Sequence, residues 1–86
     1  MDKNWIKKLN EIIIEGEIKN RFFKKSEEFL IHIYFTPKKK VIMGINIKGI
    51  SHKKLKLPFG VGDKLEDVQS WSDKNSFKSE YIERIF

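Results

Sequence analysis

NWIKKLNEIIIE, residues 4–15, is the stretch on which the fold turns. Trp5, Ile6, Leu9, Ile12 and Ile13 fall at i, i+1, i+4, i+7 and i+8, the apolar stripe of an amphipathic helix. Asp2 or Asn4 offers the N-cap, and Gly16 stands where such a helix would stop. The spacing predicts a helix over residues 4–15, with Lys3, Lys7, Lys8 and Glu11 on a solvated outer face.

Beyond it the apolar period becomes two. A first strand is expected at 17–24, then a polar turn, KKSEE, and a second strand, EFLIHIYF at 28–35, with Phe29, Ile31, Ile33 and Phe35 on one face and Leu30, His32 and Tyr34 on the other. After the turn TPKKK, VIMGINIKG at 41–49 alternates again, with Val41, Met43, Ile45 and Ile47 inward. KLKL at 54–57 reads as a short edge strand stopped by Pro58. Gly60 and Gly62 suit a tight turn, and Asp63 with Glu66 resembles a capping box in which Asp63 is the N-cap. Leu65, Val68 and Trp71 give the following helix an inward face that ends by SDKNS. FKSEYIERIF at 77–86 fits either a helix or a strand, and the strand is the preferred reading. The expectation is one α+β domain over residues 1–86: an N-terminal helix, an antiparallel sheet of four to five strands, and a short second helix near the C-terminus.

An 86-residue chain with 40% hydrophobic residues and eleven aromatics has material for one core. It has no cysteine and only two, distant histidines, so neither a disulfide framework nor a structural metal is implied, and no cofactor is expected. No apolar run approaches a membrane span, and MDKNWIKK lacks the form of a signal peptide, so a cytoplasmic location without membrane association is expected.

Charge is distributed unevenly. Residues 1–60 carry fourteen Lys or Arg against six Asp or Glu, and residues 61–86 carry four against six. Between Thr36 and Leu57 there are seven lysines and no acid. Lys38, Lys39, Lys40, Lys53, Lys54 and Lys56, with His52, therefore form the expected partner-binding surface, attractive to acidic proteins and nucleic acids alike. The dominance of lysine over arginine, sixteen to two, argues against reading of base edges.

No nucleophile elbow, HExxH or P-loop is present, and the GVG at 60–62 lacks the Lys-Ser or Lys-Thr of a phosphate loop. LKLPFGVGDKLEDV, residues 55–68, resembles a pattern of the small immunity proteins that accompany bacterial polymorphic and colicin-like toxins, in which a strand ends in LPFG and a loop leads to an acidic helix start. The resemblance implies a non-enzymatic protein that neutralises a toxin or enzyme with an acidic surface by direct docking. Two other readings come from the residues themselves. One is a nucleic-acid-binding module using the same lysines on phosphates, with aromatics such as Phe22, Phe23 or Tyr34 stacking bases. The other is a small ribonuclease toxin with His52 as acid or base beside Lys53 and Lys54.

Overall fold

In the computed structural model of the chain, which describes residues 9–20, 25–42, 46–50 and 52–84, residues 10–15 of the decisive stretch belong to a strand. β1 runs Asn10–Asn20 and pairs along its whole length with β2, Lys25–Phe35, from Asn10↔Phe35 to Asn20↔Lys25. The predicted N-terminal helix is thus overturned over residues 10–15, and its first residues, 4–8, lie outside the described part. The cause is visible in IleIleIle. On a helix, consecutive residues are about 100° apart, so three isoleucines would spread over more than half the circumference. In a strand, Ile12 and Ile14 share the core face, both fully buried, while Ile13 takes the other face half-buried. β-branched side chains also favour that pleated setting over a helix. The strand predicted at 17–24 is the second half of β1, and residues 21–24 lie outside the described part.

β3, Asn46–Lys48, joins the free side of β2 through Ile31↔Ile47, and β4, Lys78–Ile82, joins the free side of β1 through Ile12↔Tyr81. The four-stranded antiparallel sheet has the order β3-β2-β1-β4, so β1 is an interior strand. Of the strand expected at 41–49, Val41 makes an isolated bridge to Phe35, and residues 43–45 lie outside the described part.

Two helices follow β3. α1, His52–Leu55, replaces the edge strand expected at 54–57. This single turn puts Leu55 into the core, and Lys56 then adopts a left-handed φ of 49° that redirects the chain toward Pro58. α2, Leu65–Lys74, lies near the expected position and buries Leu65, Val68 and Ser72. The core is the single layer between α2 and one sheet face: Ile12, Ile14, Phe29, Ile31, Ile33, Phe35 and Val41, with Leu55, Leu65 and Val68 above them. Fully burying each such side chain stabilises by about 1.5–3 kcal/mol.

Gly16 does not end a helix. It sits mid-strand opposite Phe29, under a chain of edge-to-face rings: Phe29 on Phe77 at 4.8 Å, Phe77 on Trp71 at 5.2 Å, and Trp71 on Phe59 at 5.4 Å. A Cβ on Gly16 would stand 2.5 Å from Phe77 Cδ1 and 2.9 Å from Phe29 Cζ, so the missing side chain is what admits the rings.

Candidate partner-binding site

Of the residues singled out by charge, those whose side chains are described fall in two places. Lys38, Lys39 and Lys40 follow the end of β2, whereas Lys54 lies in α1 and its Nζ donates to both carboxylate oxygens of Glu27, at 2.9 and 3.2 Å, near the start of β2. From Glu27 to Phe35 the strand covers about 26 Å at about 3.3 Å per residue. Lys56 is exposed on the α1 side, and His52 and Lys53 belong to α1 with side chains outside the described part.

What joins Lys38–Lys40 is a residue the charge count passed over. Lys64 forms an antiparallel bridge with Lys40, across from the TPKKK turn. Three backbone hydrogen bonds stitch the two segments: Val41 N donates to Asp63 O at 2.8 Å, Gly62 N to Val41 O at 2.8 Å, and Leu65 N to Lys39 O at 2.9 Å. The turn is closed internally by Thr36 N to Lys40 O, Lys39 N to Thr36 O, and Lys40 N to Thr36 Oγ1. Lys38, Lys39, Lys40 and Lys64 are all exposed, and among the described residues none makes an ion pair. Together with Leu65 and Glu66 they line a cleft of about 330 Å³.

The GVGD loop serves this frame. Gly62 has φ +94°, the conformation that glycine accommodates without strain. The Gly60 amide donates to Asp63 Oδ2 at 2.7 Å, so the Asp63 carboxylate folds back into the loop. The N-cap of α2 is Lys64, without a side-chain cap, which corrects the assignment of that role to Asp63. With the amides of Gly60, Gly62 and Leu65 already donating within the chain, and Glu66 and Asp67 in the first helical turn, this loop is no cradle for phosphate.

The large apolar side chains exposed among the described residues are Ile42, at 39%, and Val61, at 69%. Both belong to the stitched segments: Ile42 follows Val41, and Val61 precedes Gly62. The knuckle at this end of the sheet thus carries four lysines beside two exposed aliphatic side chains.

A second polar constellation occupies the sheet face away from α2. Glu11 is 7% exposed; its Oε1 accepts from Arg84 Nη1 at 2.8 Å, and its Oε2 lies 3.4 Å from His32 Nδ1. Arg84 N also donates to Asn10 Oδ1 at 2.5 Å, which moors the segment after β4 to the start of β1. Burial pushes the Tyr34 phenol above its ordinary range, the Glu11 charge adds to the rise, and Arg84 opposes it. The alternation of β2 places His32 on this face with Leu30 and Tyr34 but carries no local signal for its partners. A carboxylate already engaged by the Arg84 guanidinium and the His32 imidazole serves best as a tether.

A wider groove of about 810 Å³ at the opposite end mixes Glu15, Glu17 and Glu28 with Lys48 and Lys78, over Phe29 and Phe77. It concentrates neither charge sign. No cluster of metal-ligating side chains occurs among the described residues, and none of their helices is long and apolar enough to cross a membrane. Comparison with family models, curated proteins and solved structures yields no match.

Proposed function

We propose that this chain is an immunity- or inhibitor-like protein that neutralises a toxin or enzyme by docking the Lys38–Lys40/Lys64 knuckle onto an acidic surface of its partner. The observation that carries the reading is the coincidence, on one hydrogen-bonded frame, of exposed Ile42 and Val61 with four exposed lysines that make no ion pair among the described residues. Aliphatic anchors inside a charged rim are the anatomy of a protein interface. A single-strand nucleic-acid platform would instead need a row of exposed aromatic faces; among the described residues Phe29, Phe35, Phe59, Trp71, Phe77 and Tyr81 pack into or against the core and Tyr34 is half-buried, while Phe22 and Phe23 lie outside the described part. The lysines accelerate encounter and select against basic partners, while the aliphatic side chains supply affinity, about 1–2 kcal/mol for burying Val61. The frame is held by backbone hydrogen bonds, so little ordering is left to do on binding.

The test is capture of the partner from the native host with tagged protein, then association kinetics and growth protection with the identified partner. Lys38→Glu/Lys64→Glu should slow association about tenfold at low salt, and Val61→Asp should speed dissociation about tenfold. Full protection by the triple variant overturns the proposal. So does a protein that captures no partner yet binds single-stranded RNA with a salt slope that falls by about one per lysine removed, because that result assigns the knuckle to nucleic acid.

A further inference from the structure

The edge of the sheet formed by β4 carries a self-complementary charge pattern. β4 is the terminal strand, and no described residue pairs with its outer side. Its first three residues, Lys78, Ser79 and Glu80, are exposed. On the β1 side Lys78 stands opposite Glu15, but Glu80 stands opposite Ile13, so its cross-strand neighbour within the chain is apolar. An edge of this kind invites strand addition, and natural proteins blunt it with a charge such as Lys78. Here the blunting has one exception built in.

We propose that β4 pairs antiparallel with β4 of a second copy about a two-fold axis at Ser79, joining the two sheets into one. Opposite residues of an antiparallel pair share a face, so a symmetric pairing that keeps both cores on the same side centres on a residue, and the exposed part of β4 offers Lys78, Ser79 and Glu80 as centres. Centring on Lys78 or Glu80 sets like charges against each other. Centring on Ser79 sets Lys78 against Glu80 of the second copy twice, and gives Glu80 the charged neighbour that Ile13 does not provide. It also brings Tyr81 opposite Phe77 of the second copy on the core face. Opposite charges directly across a strand pair stabilise it and like charges destabilise it, so the sequence selects both register and partner. The contact is two-fold and closed, which yields a dimer and not a filament. It lies on the edge of the sheet, away from the knuckle, so each dimer would present two docking surfaces.

The experiment is sedimentation velocity of the 86-residue chain across a wide concentration range. Wild type should show a monomer–dimer equilibrium. Lys78→Glu and Glu80→Lys should each raise the dimer dissociation constant at least about tenfold, or about 1.4 kcal/mol. An equimolar mixture of the two single variants, one acidic and one basic along this edge, should form a heterodimer, and the exchanged variant K78E/E80K should recover the wild-type constant. Unchanged circular dichroism of the single variants checks that they remain folded. A chain monomeric at every concentration overturns the proposal, as does a dimer indifferent to either charge change or one that the exchange fails to restore.

Discussion

Gly16→Ala tests the packing that makes β1 interior. The glycine has no left-handed φ to justify it, so the substitution probes space alone. The added methyl would stand 2.5 Å from Phe77 Cδ1, 2.9 Å from Phe29 Cζ and 3.1 Å from Phe77 Cε1. Phe77 cannot swing aside cheaply, because its ring is held edge-to-face by both Phe29 and Trp71. Forcing a methyl into such a core costs about 1–3 kcal/mol, against about 0.5–1 kcal/mol recovered from the lower chain entropy of alanine. The expected net loss is about 1–2 kcal/mol, or about 4–16 °C in Tm for a chain of this size. Urea unfolding followed by tryptophan fluorescence measures it, with Trp71 reporting from the ring stack itself. Phe77→Leu on the Gly16→Ala background should cost less than Phe77→Leu alone, because the smaller side chain relieves the overlap. A Gly16→Ala protein as stable as wild type, or additive costs in the double variant, would refute the account of the close approach.

Two further outcomes follow from the backbone and the tyrosines. Gly49, at φ +93°, would drive a Cβ into the Glu28 carbonyl oxygen, whereas Gly62, at φ +94°, has open space around that position. Gly62→Ala should therefore cost about 1 kcal/mol for the left-handed conformation alone, and Gly49→Ala measurably more, as ranked by urea midpoints. Burial holds both tyrosines, Tyr34 and Tyr81, above the ordinary phenol range, with Glu11 and Glu83 adding to the respective shifts. A raised folded-state value gives stability that is complete below the unfolded value of about 10 and is lost as pH rises from there through the folded value. Phenolate absorbance should accordingly titrate later in the folded than in the urea-unfolded chain, and stability should fall above about pH 10. Arg84→Ala should delay the Tyr34 step further, since the guanidinium is the influence that lowers it. Coincident folded and unfolded titrations would contradict the burial of both rings.

Where neighbours in sequence are also neighbours in space, the structure was legible. β2 alternates without a break from Phe29 to Phe35, and α2 needs only Leu65 and Val68 at helical spacing. Residues 10–15 misled because Ile12, Ile13 and Ile14 satisfy both periods, and the choice is made by strands that arrive from residues 25–35 and 78–82. KLKL misled because two leucines and two lysines alternate equally well in an edge strand and in a helical turn followed by a left-handed residue. Lys38–Lys40 were visible as a run, but Lys64 joins them only through a bridge 24 positions away, and Lys54 leaves them through its pair with Glu27. The Glu11–His32–Arg84 cluster spans three separate segments, and no pattern within a window of sequence could assemble it.

The interior position of β1 also sets a timetable for synthesis. The hairpin with β2 can close as soon as both strands are made, but Arg84 and Asn10, which bond at the far corner of the β1–β4 pair, are 74 positions apart. At about 5–20 residues per second, β1 waits several seconds on the ribosome with one edge bare before β4 exists to cover it. During that interval an isoleucine-rich strand is open to any other extended chain. Its outward Glu15, Glu17 and Lys19 are the charges that discourage a wrong partner until the right one is translated.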